Sequence, residues 1–96
     1  MSAYMIFDVR RGDKKAMKPY SEKVMGTLEP YGGRIIAASD NIDVREGDWD
    51  FERILIVEFP TMEAAQSWYD SPEYQEILPI RLKAYNDQMV IVEGNQ

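Results

Sequence analysis

The segment Arg53-Ile-Leu-Ile-Val-Glu-Phe-Pro60 constrains the fold of this chain more than any other. A strand with one face in water alternates apolar and polar residues. Here Ile54, Leu55, Ile56, Val57 and Phe59 are apolar whichever face they occupy, which predicts a strand covered on both sides. In a chain of 96 residues one layer of helices can cover one face, and a second subunit is expected to cover the other. Glu58, set inside the run, is then expected to be a buried ionisable group, which must be paired, protonated or functional.

Composition narrows the chemistry. The length fits a single domain over residues 1–96, and the 45% hydrophobic content without low-complexity stretches marks a globular chain. A formal charge of −6 argues against nucleic acid or an anionic membrane surface as the main partner. The basic cluster of Lys14, Lys15 and Lys18 reads as a solvated helix face. No apolar run approaches the roughly 20 residues of a membrane span, and Met1 to Asp8 lacks the pattern of a signal peptide, so a cytoplasmic protein is expected. With no cysteine there is no disulfide, thiolate nucleophile or iron–sulfur cluster. With no histidine the commonest general base, haem ligand and zinc ligand are missing as well. The expectation is therefore no cofactor and no zinc, haem or iron–sulfur site, with any catalysis carried by carboxylates, Tyr, Lys, Arg, Ser or Thr.

Periodicity divides the chain into two related halves. Tyr4 to Val9 alternates as a strand, with Met5, Phe7 and Val9 on one face and Tyr4, Ile6 and Asp8 on the other. Arg11-Gly12-Asp13 turns the chain, with Asp13 as N-cap, and a stripe at Met17, Tyr20, Val24, Leu28 and Tyr31 predicts a helix. Pro19 predicts either a kink or a fresh start there, and a glycine of Gly32-Gly33 supplies the left-handed cap. Arg34 to Ser39 is the second strand, Arg45 to Asp50 a polar connection, and the Glu58 strand follows. Thr61 caps a helical region with Met62, Ala65, Trp68 and Tyr69 inward; Ser71-Pro72-Glu73 starts another, with a stripe at Tyr74, Ile77, Leu78, Arg81 and Tyr85 and a kink at Pro79. Met89 to Val92 is the last strand, and Glu93 to Gln96 frays out. The order βαββαβ predicts an α+β, ferredoxin-like fold: a four-stranded antiparallel sheet with two helical regions on one face. The other, apolar face would be left bare, so a homodimer through it is expected.

Tyr31-Gly-Gly-Arg34, Glu46-Gly-Asp-Trp49, Glu58-Phe-Pro60, Trp68-Tyr-Asp-Ser-Pro-Glu-Tyr74, Arg81 and Val92-Glu-Gly94 stand in an order and at spacings that resemble the domain of unknown function 1330 family. The resemblance covers nearly the whole chain, with Pro19 and Pro79 as departures. It implies the dimeric α+β barrel superfamily, in which two ferredoxin-like subunits join sheets around a central barrel. That superfamily includes cofactorless monooxygenases, muconolactone isomerase-like enzymes, haem enzymes, ligand-sensing domains and stress-responsive proteins.

Glu58 and Arg81 are the candidate catalytic residues. Burial would raise the Glu58 pKa, as a general acid or base needs, although a structural ion pair with an arginine, Arg81 first and Arg34 second, explains the same residue. Arg81 lies on an otherwise apolar helical stripe and suits an anchor for a ligand carboxylate or for Glu58, against the alternative of a snorkelling side chain. Arg34, Asp48, Trp49, Trp68, Tyr69 and Ser71 are the candidate ligand-binding residues. Five of the six have a plainer reading: exposure for Arg34, turn capping for Asp48, core packing for Trp68 and Tyr69, an N-cap for Ser71. Three functions follow: cofactor-independent acid/base chemistry on a small organic or aromatic acid, non-catalytic ligand binding or sensing, and a structural, stress-related dimer.

Overall fold

A computed structural model describes every residue except Arg11, Phe51, Asn86 and Gln96. The expected turn residue Arg11 and the terminal Gln96 thus lie outside the described residues. The elements are β1 (Ala3–Val9), α1 (Lys14–Leu28), β2 (Arg34–Ser39), β3 (Arg53–Phe59), α2 (Met62–Asp70), α3 (Pro72–Ala84) and β4 (Gln88–Glu93), with one 3-10 turn at Glu29–Tyr31. The strands form an antiparallel sheet in the order β2-β3-β1-β4, which with this connectivity is the ferredoxin-like α+β fold.

Local chemistry explains the boundaries. Asp13 accepts hydrogen bonds from the Lys15 and Ala16 amides, Thr61 from Ala64 and Ser71 from Tyr74, so each helix starts at a side chain that satisfies otherwise orphaned N–H groups. Helix α1 runs through Pro19, and α3 through Pro79. Each proline leaves one carbonyl without its helical donor, those of Lys15 and Gln75, and both positions are exposed, where water replaces the lost bond. Gly32 takes the left-handed conformation (φ 75°) that stops the first helical segment and sends the chain into β2.

Strand parity separates the two sheet faces. Met5, Phe7, Val57 and Phe59 are buried against Leu28, Ala65, Trp68, Tyr74 and Ile77 from the helices. The register pairs Tyr4 with Glu58 and Val92, and Ile6 with Ile56 and Val90, on the opposite face. No described helix covers that face; Val90 is 60% exposed and Val92 is exposed too. A register shift between Ile35 and Ala37 interrupts β2, and Ile35 and Ile36 are both exposed beside it.

Candidate functional site

Helix α1 packs chiefly along α3, while α2 lies against β1, β3 and β4. Space therefore remains between α1 and the end of the sheet where β1 finishes and β3 begins. A cleft of about 280 Å³ opens there. Phe7, Val9, Val24 and Leu55 form its apolar walls, and Met17, Met25 and Ile35 extend them to the rim. Tyr20, Arg53, Tyr85 and Asp87 supply polar groups. Tyr85 is fixed by a bridge to Gly12, where a Cβ would collide with the Ala84 carbonyl and the Tyr85 ring.

Behind the cleft lies a buried polar network. Arg81 Nη1 donates to Asp87 Oδ1 at 2.6 Å, with side-chain exposures of 4% and 2%. The guanidinium carbon stands 5.1 Å from the centre of the Phe7 ring, a cation–π arrangement. Among the described residues Arg81 Nε has no hydrogen-bond partner, which costs about 1–3 kcal/mol if water does not reach it. The Tyr20 and Tyr74 hydroxyls share a 2.8 Å hydrogen bond, with the rings edge to face. Burial pushes both phenols above their ordinary range, so they stay protonated at neutral pH. Burial also pushes the Asp87 carboxyl up, against the downward pull of Arg81 beside it. An apolar recess with two or three convergent polar groups of shifted acidity is the usual form of a small-molecule site.

Glu58 lies on the opposite face of the sheet from this network. Its Oε1 accepts from Arg34 Nε at 2.8 Å and Nη2 at 2.6 Å. Arg34 is its register partner across β2 and β3. Of the two arginines expected to pair with it, Arg34 does and Arg81 does not; parity puts Glu58 with Ile54 and Ile56, while Arg81 faces Phe7. The Arg34 hydrogen bonds hold the Glu58 carboxyl below the usual glutamate range, with smaller help from Tyr4 and Ser2, and the side chain keeps 21% exposure. The expected rise in pKa fails here because an arginine bond outweighs partial burial. The pair borders a shallow recess of about 220 Å³ with Ser2, Gly32 and Pro60.

The remaining candidates are scattered. Trp49 is 61% exposed, donates from Nε1 to the Glu46 carbonyl at 2.8 Å, and borders a surface hollow with Val44 and Ile54. Asp48 is exposed in the same connection. Trp68 is fully buried, donates to Thr27 Oγ1 at 3.0 Å, and packs on Phe59 and Tyr74. Tyr69 is half-buried at the edge of that aromatic cluster. Ser71 is buried; its Oγ donates to the Trp68 carbonyl and caps α3. None of these six, counting Arg34, lines the cleft under α1. No sequence pattern marks the cleft's polar residues apart from Tyr20 and Tyr85, which stand on the two helical stripes. Arg53 and Asp87 stand at strand ends, where the alternation that would mark them as inward-facing has only one neighbour to count from. Among the described residues no cluster of three or more acidic side chains could hold a metal, and no helix is long and apolar enough to cross a membrane.

The sheet order, with the helices on one face and the opposite face open, defines a ferredoxin-like α+β protein. The chain belongs to the DUF1330 family, a domain of unknown function, whose family model matches residues 2–95. Solved structures share the fold at low identity. A protein of unknown function from Rhodopseudomonas palustris is 18% identical with a TM-score of 0.76, over 99% of this chain and 83% of that one. A dimeric ferredoxin-like protein of unknown function from Jannaschia is 15% identical with a TM-score of 0.62, over 98% of this chain and all (100%) of the other. SnoaB, a cofactor-independent oxygenase from Streptomyces nogalater, is 13% identical with a TM-score of 0.61, over 99% and 92% of the two chains. No curated protein matches the sequence.

Proposed function

We propose that the protein is a homodimer that binds a small, largely apolar or aromatic organic ligand in the cleft between α1 and the sheet. The observation that carries this reading is the junction of an open apolar recess with the buried Tyr20–Tyr74–Arg81–Asp87 network. The recess supplies the area that binds an apolar body, and Tyr20 and Asp87, both lining it, supply direction. Arg81 acts behind them, holding Asp87 in place. Dimerisation uses the open face, whose outward Ile6, Ile56, Val90 and Val92 are the kind of patch a monomer rarely leaves in water. The Jannaschia protein is described as dimeric, which fits this arrangement.

A second reading adds proton transfer. Asp87 is a carboxyl with raised affinity for its proton, so it can take a proton from a ligand and return it without a cofactor, while Tyr20 stays a neutral hydrogen-bond donor beside it. SnoaB, on the same fold, is cofactor-independent, which is compatible with that chemistry. On either reading Glu58 and Arg34 belong to the open face and its edge recess. The test is calorimetry with small aromatic probes such as 1-naphthol. Binding should be lost in Val24→Trp, which fills the cleft, and kept in Glu58→Gln. Turnover of a bound aromatic compound that disappears in Asp87→Asn would favour the second reading; binding without turnover, the first. Binding unaffected by Val24→Trp would overturn the cleft assignment.

A further inference from the structure

Arg53 stands where the sheet pattern calls for an apolar residue. It shares the helix-facing parity of Leu55, Val57 and Phe59, and it lines the cleft while remaining exposed. It is thus a cation at the mouth of an apolar recess. Among the described residues it forms no ion pair, even with Asp40, beside which it borders a separate shallow hollow. Its register partner is Val9, and Asp87 immediately precedes Gln88, the partner of Asp8 on the other side of β1. Two strand spacings, about 10 Å, therefore separate the backbones of Arg53 and Asp87. The two ends of the cleft differ in kind. At one, the Asp87 carboxylate is committed to Arg81, with 2% side-chain exposure; at the other, an exposed guanidinium forms no ion pair among the described residues.

We propose that the cleft selects an aryl or alkyl monocarboxylate, with Arg53 receiving the carboxylate at the mouth and Tyr20 and Asp87 meeting the apolar body's far end. This rests on the reading of the cleft as a ligand site. A planar guanidinium matches a carboxylate with two parallel hydrogen bonds, and the apolar walls next to it raise their strength by excluding water. The opposite orientation would place the ligand's charge against Asp87, where repulsion and desolvation both oppose it.

The test compares 1-naphthoate with 1-naphthamide, equal in shape but differing in charge, by calorimetry on the wild type and on Arg53→Gln. Naphthoate should bind about tenfold tighter than the amide to the wild type, the scale of one charge-assisted contact. Arg53→Gln should remove that preference, bringing naphthoate to the affinity of the amide, while the unfolding midpoint stays that of the wild type because Arg53 is exposed. Equal affinities in the wild type, or a preference that survives Arg53→Gln, would overturn the role of Arg53 while leaving the cleft as a ligand site. Binding of neither compound, or binding that persists in Val24→Trp, would remove the cleft reading and this inference with it.

Discussion

Two arginine–carboxylate pairs, both closing to 2.6 Å, sit on opposite sides of one sheet and behave differently. Arg34–Glu58 lies on the open face with side-chain exposures of 73% and 21%; Arg81–Asp87 lies in the core at 4% and 2%. In the first, hydrogen bonding from arginine dominates and Glu58 is a stronger acid than usual. In the second, desolvation dominates and Asp87 is a weaker one. The same contact distance thus gives opposite shifts, and burial decides the sign. The exposed pair can stabilise the single chain only slightly, because solvent screens it. The buried pair contributes little relative to an apolar replacement, yet breaking half of it is severe.

The largest expected effect follows from that asymmetry. Arg81→Met should cost about 3–5 kcal/mol in denaturant unfolding, because Asp87 is left buried without its cation. Adding Asp87→Leu to that variant should recover most of the loss. A single-variant cost below about 1 kcal/mol would place the pair with the solvated class.

Next comes association. Ile56→Lys puts a charge at the centre of the open face, between Ile6 and Ala37 in the register. Sedimentation should change from dimer to monomer while the circular dichroism spectrum stays that of the wild type. A wild type already monomeric at micromolar concentration would remove the proposed dimer.

A smaller effect is expected at Glu58. Glu58→Gln in the monomeric Ile56→Lys background should lower stability far less than Arg81→Met does, and in the dimer it should cost more, since the partner would exclude water from Arg34. Equal effects in both backgrounds would mean that the pair lies outside the interface.

The smallest effects are pH-dependent, with opposite signs. Asp87 holds its proton more tightly when folded, so its contribution is complete below its ordinary value of 3.8 and fades as pH rises through the elevated folded value. Glu58 is the reverse: its contribution is complete above its ordinary value of 4.5 and fades as pH falls through the depressed folded value. Unfolding curves of wild type, Asp87→Asn and Glu58→Gln across the acidic range should show the two differences moving in opposite directions with pH.

The elements themselves were legible because each is written in a local code. Asp13, Thr61 and Ser71 mark helix starts, Gly32 a stop, and the period-two pattern of Tyr4 to Val9 a strand with one face inward. Arg81 was legible as a charge on an apolar stripe, but not its partner. Pairing it with Glu58 required the two to share a side of β3, and Val57 and Phe59, which face the helices, fix Glu58 on the other. The bare apolar run of Ile54 to Val57 hides that parity, since both faces look alike. Asp87 and the cleft were illegible for another reason. The cleft exists because α1 leans on α3 rather than on the sheet, and no residue pattern within α1 encodes that tilt.

The most direct test of the ligand site uses the methionine methyl groups as reporters. Met17 and Met25 line the cleft, Met62 starts α2, and Met1 is exposed at the other end of β1. In protein labelled with ¹³C at methionine methyls, titration with 1-naphthol or 1-naphthoate should shift the Met17 and Met25 resonances saturably and leave Met1 and Met62 in place. Saturable shifts confined to Met1 or Met62, or no saturable shift at Met17 and Met25, would contradict the placement of the site beneath α1.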